Sequence, residues 1–197
     1  MLVIGLTGSL AMGKSTVSSM FAEEGAATYN ADAAVHALYR GEAVTAIDAA
    51  FPGVTRQGVV DRAALAASVT GNPPALAALE HIVHPLVRRS EESFRAAAAQ
   101  AGRRVLVLDI PLLLETGGET RVDVVVVVTA AEKIQRERIL ARPGMNVEKI
   151  AALLARQLPD GEKRKRAHFL VETSGTLDNT RRQVQDVLRA LAGRAAI

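Results

Sequence analysis

Short, unbroken apolar runs alternate along this chain with longer stretches in which apolar residues recur every three or four positions. Leu2-Val-Ile-Gly-Leu-Thr7 offers apolar side chains to both faces of a strand, the signature of the centre of a parallel sheet. Val122-Asp-Val-Val-Val-Val-Val-Val128 is β-branched almost throughout and reads as a second central or near-central strand. Ala26-Ala-Thr-Tyr29, Arg104-Val-Leu-Val-Leu108 and His168-Phe-Leu-Val171 are shorter runs of the same kind. Helical periodicity fills the intervals: residues 14 to 24 up to Gly25, Ala130 to Arg142 up to Pro143-Gly144, about Val147 to Leu158, and 178 to 192. Between Ala33 and Gln100 the pattern is helical throughout, broken by turns at Gly41, Pro52-Gly53 and Gly71-Asn-Pro-Pro74. Strands and helices alternating in this way predict an α/β fold, a five-stranded parallel sheet flanked by helices, with a helical insertion after the second strand.

Composition narrows the class. With 197 residues and 49% apolar content the chain can bury a core as one domain with insertions. No run approaches the roughly 20 apolar residues of a membrane span, and the first strand begins at once, so the cytoplasm is the expected compartment. The absence of Cys removes disulfides and thiolate chemistry. A net charge of +3 is too small a surplus to demand a polynucleotide, and two Tyr, four Phe and no Trp leave little for bases to stack on. An anionic small molecule accounts for the arginines equally well.

The first strand runs into Gly8-Ser-Leu-Ala-Met-Gly13-Lys14-Ser15-Thr16, which spells GxxxxGK[ST] between a strand and a helix, the P-loop of nucleoside triphosphate binding. Gly8 and Gly13 free the backbone to turn successive N–H groups inward, so that Gly8, Ala11, Met12, Gly13, Lys14, Ser15 and Thr16 form the expected nucleotide cradle. Lys14 supplies a mobile charge for the β- and γ-phosphates, and Ser15 a hydroxyl for Mg²⁺. No Asn-Lys-x-Asp sequence is present to read guanine, so a small-molecule kinase fits better than a GTPase. Asp32, at the end of the second strand, reads either as a general base that positions an acceptor hydroxyl or as the N-cap of the following helix. Asp109 ends an apolar strand, where a carboxylate holding Mg²⁺ or substrate is expected; the alternative is a turn residue ahead of Pro111. Arg138 and Arg142 are four apart on one helix, placed to clamp phosphates or to line a solvated face. His84 and Arg88 in the insertion are candidates for an anionic substrate. Lys163-Arg-Lys-Arg166 resembles a nucleic-acid patch but reads more readily as a solvated helix end.

Taken together, several stations resemble the dephospho-CoA kinase family. They are Gly5-Leu-Thr-Gly8 with the P-loop, Asn30-Ala-Asp32, His84-Pro85, Asp109-Ile-Pro-Leu-Leu-Leu-Glu115, Gln135-Arg-Glu-Arg138 with Arg142, Gln157-Leu-Pro and Thr173-Ser-Gly-Thr176. The resemblance is collinear and spans nearly the whole chain. It implies transfer of the ATP γ-phosphoryl to the ribose 3′-hydroxyl of dephospho-CoA, with ATP and Mg²⁺ required and neither nucleic acid nor membrane as partner; it assigns no oligomeric state. It also implies one P-loop kinase domain with its core in 1–32, 101–130 and 168–197, a helical CoA-binding subdomain over 33–100 and a lid over 131–167. Asp32 matches the second Asp of the family's Asp-Ala-Asp, the proposed base, and Arg138 and Arg142 match lid arginines. Three positions depart from the family pattern: Asn30 replaces the first Asp, His36 a frequent Arg, and Thr173 a common Asn.

Overall fold

The computed structural model describes residues 1–142, 150, 154, 155 and 157–193. The chain forms two compact units, residues 30–97 and the remainder. In the larger unit β1 (Leu2–Gly8) lies at the centre of a five-stranded sheet with β2 (Ala27–Asn30), β5 (Val105–Asp109), β6 (Val124–Thr129) and β7 (Phe169–Glu172), in the order β2-β5-β1-β6-β7. β1 pairs in parallel with β5 and β6, and β6 with β7; Ile4 stands opposite both Val107 and Val124.

Both faces of this sheet are covered, which is why its central strands are apolar without alternation. On one face Ile4, Leu6, Val124, Val126 and Val128 pack with Val17 and Phe21 of α1 (Lys14–Glu23) and with Val184, Val187 and Leu191 of α8 (Leu177–Leu191). On the other, Val125 and Val127 meet Leu113 and Leu114. Close packing also explains two glycines of β1. A Cβ on Gly5 would stand 2.5 Å from Leu113 Cδ2, and one on Gly8 would stand 2.6 Å from the Val128 carbonyl oxygen. Helix α6 (Glu132–Leu140) follows β6, and the short α7 (Asp160–Lys165) precedes β7. The helix expected over 147–158 falls mostly outside the described residues.

The smaller unit holds α2 (Ala31–Leu38), α3 (Val44–Ala50), α4 (Arg62–Val69) and most of α5 (Pro73–Gln100) around Leu38, Ile47, Phe51, Val54, Val60, Leu65, Leu79 and Val83. It also contains a small antiparallel hairpin, β3 (Thr55–Arg56) and β4 (Val59–Val60), where only helix and turns were expected. Gln57 and Gly58 turn it with φ of 52° and 74°. Two left-handed residues in succession suit the right-handed twist of a hairpin. No helix among the described residues is long and apolar enough to cross a membrane.

Candidate active site

The parallel sheet brings the C-terminal ends of β1, β5, β6 and β7 to one edge, where ligands bind in open α/β folds. β1 leaves that edge at Gly8 and α1 begins at Lys14. Within the loop Ala11 has φ 61° and Gly13 has φ 88°. The left-handed turn is therefore carried by Ala11 and Gly13. Gly8 is required for a different reason from the one expected: it is still in the strand, and its lack of a Cβ admits the Val128 backbone. Gly13 is the N-cap of α1 and, having no side chain, supplies no cap to the helix. The first N–H groups of α1 are thus left to point out of its N-terminus, at the positive end of the helix dipole, as an anion site requires.

Lys14 forms an ion pair with Asp109, whose carboxylate is 1% exposed at the end of β5. A carboxylate this deep is costly without a countercharge. The same strand end is tied back to β1 by the Thr7 hydroxyl, which donates to the Pro111 carbonyl at 3.0 Å. Ser15 and Thr16 are exposed at the start of α1, and the buried Ser9 hydroxyl makes no hydrogen bond among the described residues. Mg²⁺ is commonly held by one or two protein oxygens together with phosphate oxygens and water. The Ser15 hydroxyl and the Asp109 carboxylate are donors of that hard type. A cluster of three or more potential metal-binding side chains, which such an ion does not need, is absent among the described residues.

Side chains from distant segments grip the tip of the loop. Leu10 N–H donates to Gln157 Oε1 at 3.0 Å, and the Leu10 carbonyl accepts from Gln135 Nε2 at 2.8 Å. The Thr173 hydroxyl donates to the Met12 carbonyl at 2.7 Å. Arg138 donates in turn to that hydroxyl at 2.9 Å and to the Thr173 carbonyl at 2.6 Å. Thr173 therefore packs against the P-loop, where a Cβ on Gly13 would meet its Oγ1 at 3.1 Å. Arg142 differs from expectation: α6 ends at Leu140, so Arg142 lies past the helix, exposed, and does not share a helical face with Arg138.

The basic run also requires correction. Lys163 is fully buried, paired with Glu115 at 2.8 Å, and Glu115 Oε1 accepts from Leu158 N–H at 2.8 Å. Lys165 pairs with Glu162 at 2.7 Å, Arg164 with Asp160 at 3.9 Å and Arg166 with Glu119 at 3.4 Å. The stretch is a set of ion pairs, one of them internal, and neither a uniform solvated face nor a basic patch. Glu115, the last residue of the Asp109–Glu115 segment, is a half-buried carboxylate engaged by Lys163 and by the Leu158 N–H.

In the smaller unit Asn30 is the N-cap of α2, its side chain accepting from Ala33 N–H at 2.8 Å. That assignment removes the capping alternative for Asp32. Its carboxylate is exposed in the first turn of α2 and has no hydrogen bond or ion pair among the described residues. Asp32 lines a cavity of about 460 Å³ with Val35, His36, Tyr39, Arg62 and Leu65. Burial pushes the Tyr39 phenol pKa up, while the neighbouring Arg62 charge acts in the opposite sense. His84 and Arg88 are exposed on α5 and do not line this cavity; His36 and Arg62 are its basic side chains. Arg62, at the first position of α4, was not singled out from sequence, and no local pattern marks it.

A protein-family model for dephospho-CoA kinase matches residues 2–179. The dephospho-CoA kinase of Rhodopseudomonas palustris is 57% identical over 192 residues, 98% of this chain and 96% of its own. Among solved structures, TT1252 from Thermus thermophilus has a TM-score of 0.85 at 35% identity, covering 96% of this chain and 97% of that one. The dephospho-CoA kinase from Campylobacter jejuni shares the fold, with a TM-score of 0.65 at 22% identity over 96% of each chain.

Proposed function

The chain belongs to the dephospho-CoA kinase family and carries out its reaction, transfer of the ATP γ-phosphoryl to the ribose 3′-hydroxyl of dephospho-CoA, and we propose the following residues for it. The observation that carries the assignment of the phosphate site is the uncapped N-terminus of α1 behind left-handed Ala11 and Gly13, with Lys14 beside Asp109. Backbone N–H groups of Ala11 and of residues 13–16 hold the phosphates, with the Met12 N–H kept on the Ser9 carbonyl, and Lys14 moves between the Asp109 carboxylate and the β- and γ-oxygens. Ser15 and Asp109 would hold Mg²⁺, which when bound neutralises charge shared between those oxygens.

Asp32 accepts the proton of the 3′-hydroxyl, a role that rests on its match to the family's motif and on its unengaged carboxylate. The cavity beside it, apolar along Val35 and Leu65 and basic at Arg62 and His36, suits an acceptor that joins uncharged and anionic parts. His84 and Arg88 would contact the acceptor's diphosphate. Arg138 and Arg142 would neutralise charge on the transferring phosphoryl group; Arg138 uses two of its five N–H donors on Thr173. Residues 33–100 would form the acceptor-binding subdomain and 131–167 the lid, at work in the cytoplasm.

The test is ATP consumption by the purified chain with Mg²⁺, comparing dephospho-CoA with AMP and other nucleoside monophosphates. Turnover confined to dephospho-CoA is expected. Turnover with a nucleoside monophosphate instead would overturn the acceptor assignments while keeping the phosphate site.

A further inference from the structure

Leu10, Ala11 and Met12 form the tip of the P-loop, and the loop does little to hold them. Its own backbone contributes one bond there, Met12 N–H to the Ser9 carbonyl at 3.2 Å. Ala11 sits at φ 61°, a conformation disfavoured for a residue with a Cβ. What fixes the tip comes from outside, from residues 125 to 161 positions away: Gln135 and Gln157 on the two polar groups of Leu10, and Thr173 on the Met12 carbonyl.

The direction of these bonds matters. In a planar trans peptide the carbonyl of one residue and the N–H of the next point to opposite sides. Gln135, by drawing the Leu10 carbonyl one way, turns the Ala11 N–H the other way. Thr173, by drawing the Met12 carbonyl, does the same for the Gly13 N–H. Neither of these N–H groups has a hydrogen-bond acceptor among the described residues. Gln157 occupies the Leu10 N–H, so that this donor cannot swing round and compete.

We propose that Gln135 and Gln157, with the Arg138-backed Thr173, are positioning residues for the nucleotide: they clamp the P-loop tip so that the Ala11 and Gly13 N–H groups face the phosphates and Ala11 stays left-handed. The clamp rests on the reading of this loop as the phosphate site. It acts before any acceptor arrives, so its effect belongs to ATP affinity.

The experiment is calorimetric titration of the full chain with ATP and Mg²⁺ in the absence of acceptor, alongside steady-state kinetics. Gln135→Met and Gln157→Met keep side-chain length and remove the bonds. Each is expected to raise the Kd and KM for ATP about tenfold, as loss of roughly one hydrogen bond implies, with kcat at saturation and the KM for dephospho-CoA changed less than twofold. Ala11→Gly, which removes the cost of the left-handed tip, is expected to recover at least a third of that loss in either background.

A second pair keeps the test sound where Met impairs folding. Gln157→Glu retains an acceptor for Leu10 N–H, whereas Gln135→Glu has no donor for the Leu10 carbonyl. Both add the same charge beside the same residue, so the clamp predicts weaker ATP binding for Gln135→Glu than for Gln157→Glu. Equal affinities in that pair, or unchanged ATP affinity in both Met variants, would overturn the clamp and leave the phosphate site standing. A wild-type chain that fails to bind ATP would overturn both.

Discussion

Lys14 illustrates how one side chain can serve chemistry and stability together. Its side chain is 17% exposed and neutralises the carboxylate of Asp109, whose side chain is 1% exposed. Removing one partner of such a pair leaves an uncompensated buried charge, which costs about 3 kcal/mol. Lys14→Ala is therefore expected to abolish turnover and also to lower unfolding free energy by about that amount in urea denaturation. Lys14→Ala/Asp109→Asn should regain most of the stability and none of the activity; a single variant as stable as wild type would show that the pair does not stabilise the fold. Asp32 is the opposite case, an exposed carboxylate with no structural bond to lose. Asp32→Asn should leave the thermal midpoint and ATP affinity unchanged while kcat falls by about two orders of magnitude or more, the range of general-base catalysis. Near-normal kcat in that variant would remove Asp32 from the mechanism.

At the scale of elements, side-chain caps mark where α2 and α4 of the smaller unit begin, at Asn30 and Asp61. Asp61 accepts from the N–H groups of Ala64 and Ala63 at the start of α4, and these bonds, with the nearby Arg56, hold its pKa below the ordinary carboxylate range. Because the folded pKa is depressed, the cap's contribution is present in full above the unfolded pKa of about 3.9 and is lost as pH falls through the folded value. Asp61→Ala should lower the thermal midpoint at pH 7, and the gap from wild type should narrow below about pH 4. A gap that is constant from pH 7 to pH 3 would show that the carboxylate charge is not what caps α4. Sequence reveals elements unevenly for reasons of the same kind. β1, β5 and β6 were legible because burial on both faces demands continuous apolar residues. The β3–β4 hairpin was not, since each strand has two residues and Gln57 is an unusual occupant of a left-handed turn position. The P-loop could be read locally. Its clamp could not, because Gln135, Gln157 and Thr173 approach Leu10 and Met12 only after the parallel sheet has formed, and no short-range pattern records a contact across 125 or more residues.

Across the whole chain, charge is placed so that basic residues late in the sequence complete structure begun much earlier. Lys163 reaches Glu115, whose Oε1 also accepts from Leu158 N–H, and so fastens the segment after β5 to the segment before β7. Lys163 is 0% exposed and Glu115 13% exposed, so this pair is shielded from the solvent screening that weakens surface ion pairs. Glu115 has two duties, and that makes the arrangement testable. Lys163→Met strands the carboxylate and should cost about 3 kcal/mol of unfolding free energy. Adding Glu115→Gln removes the stranded charge while keeping an acceptor for Leu158 N–H, so this double variant should recover most of the loss. Adding Glu115→Leu instead removes the charge but orphans that N–H, and should recover less, by about 1 kcal/mol or more. Urea denaturation of the three variants at low and high salt checks the ordering. If Lys163→Met were neutral, or if the Leu double variant matched the Gln one, the buried pair would not be the fastening that the geometry describes.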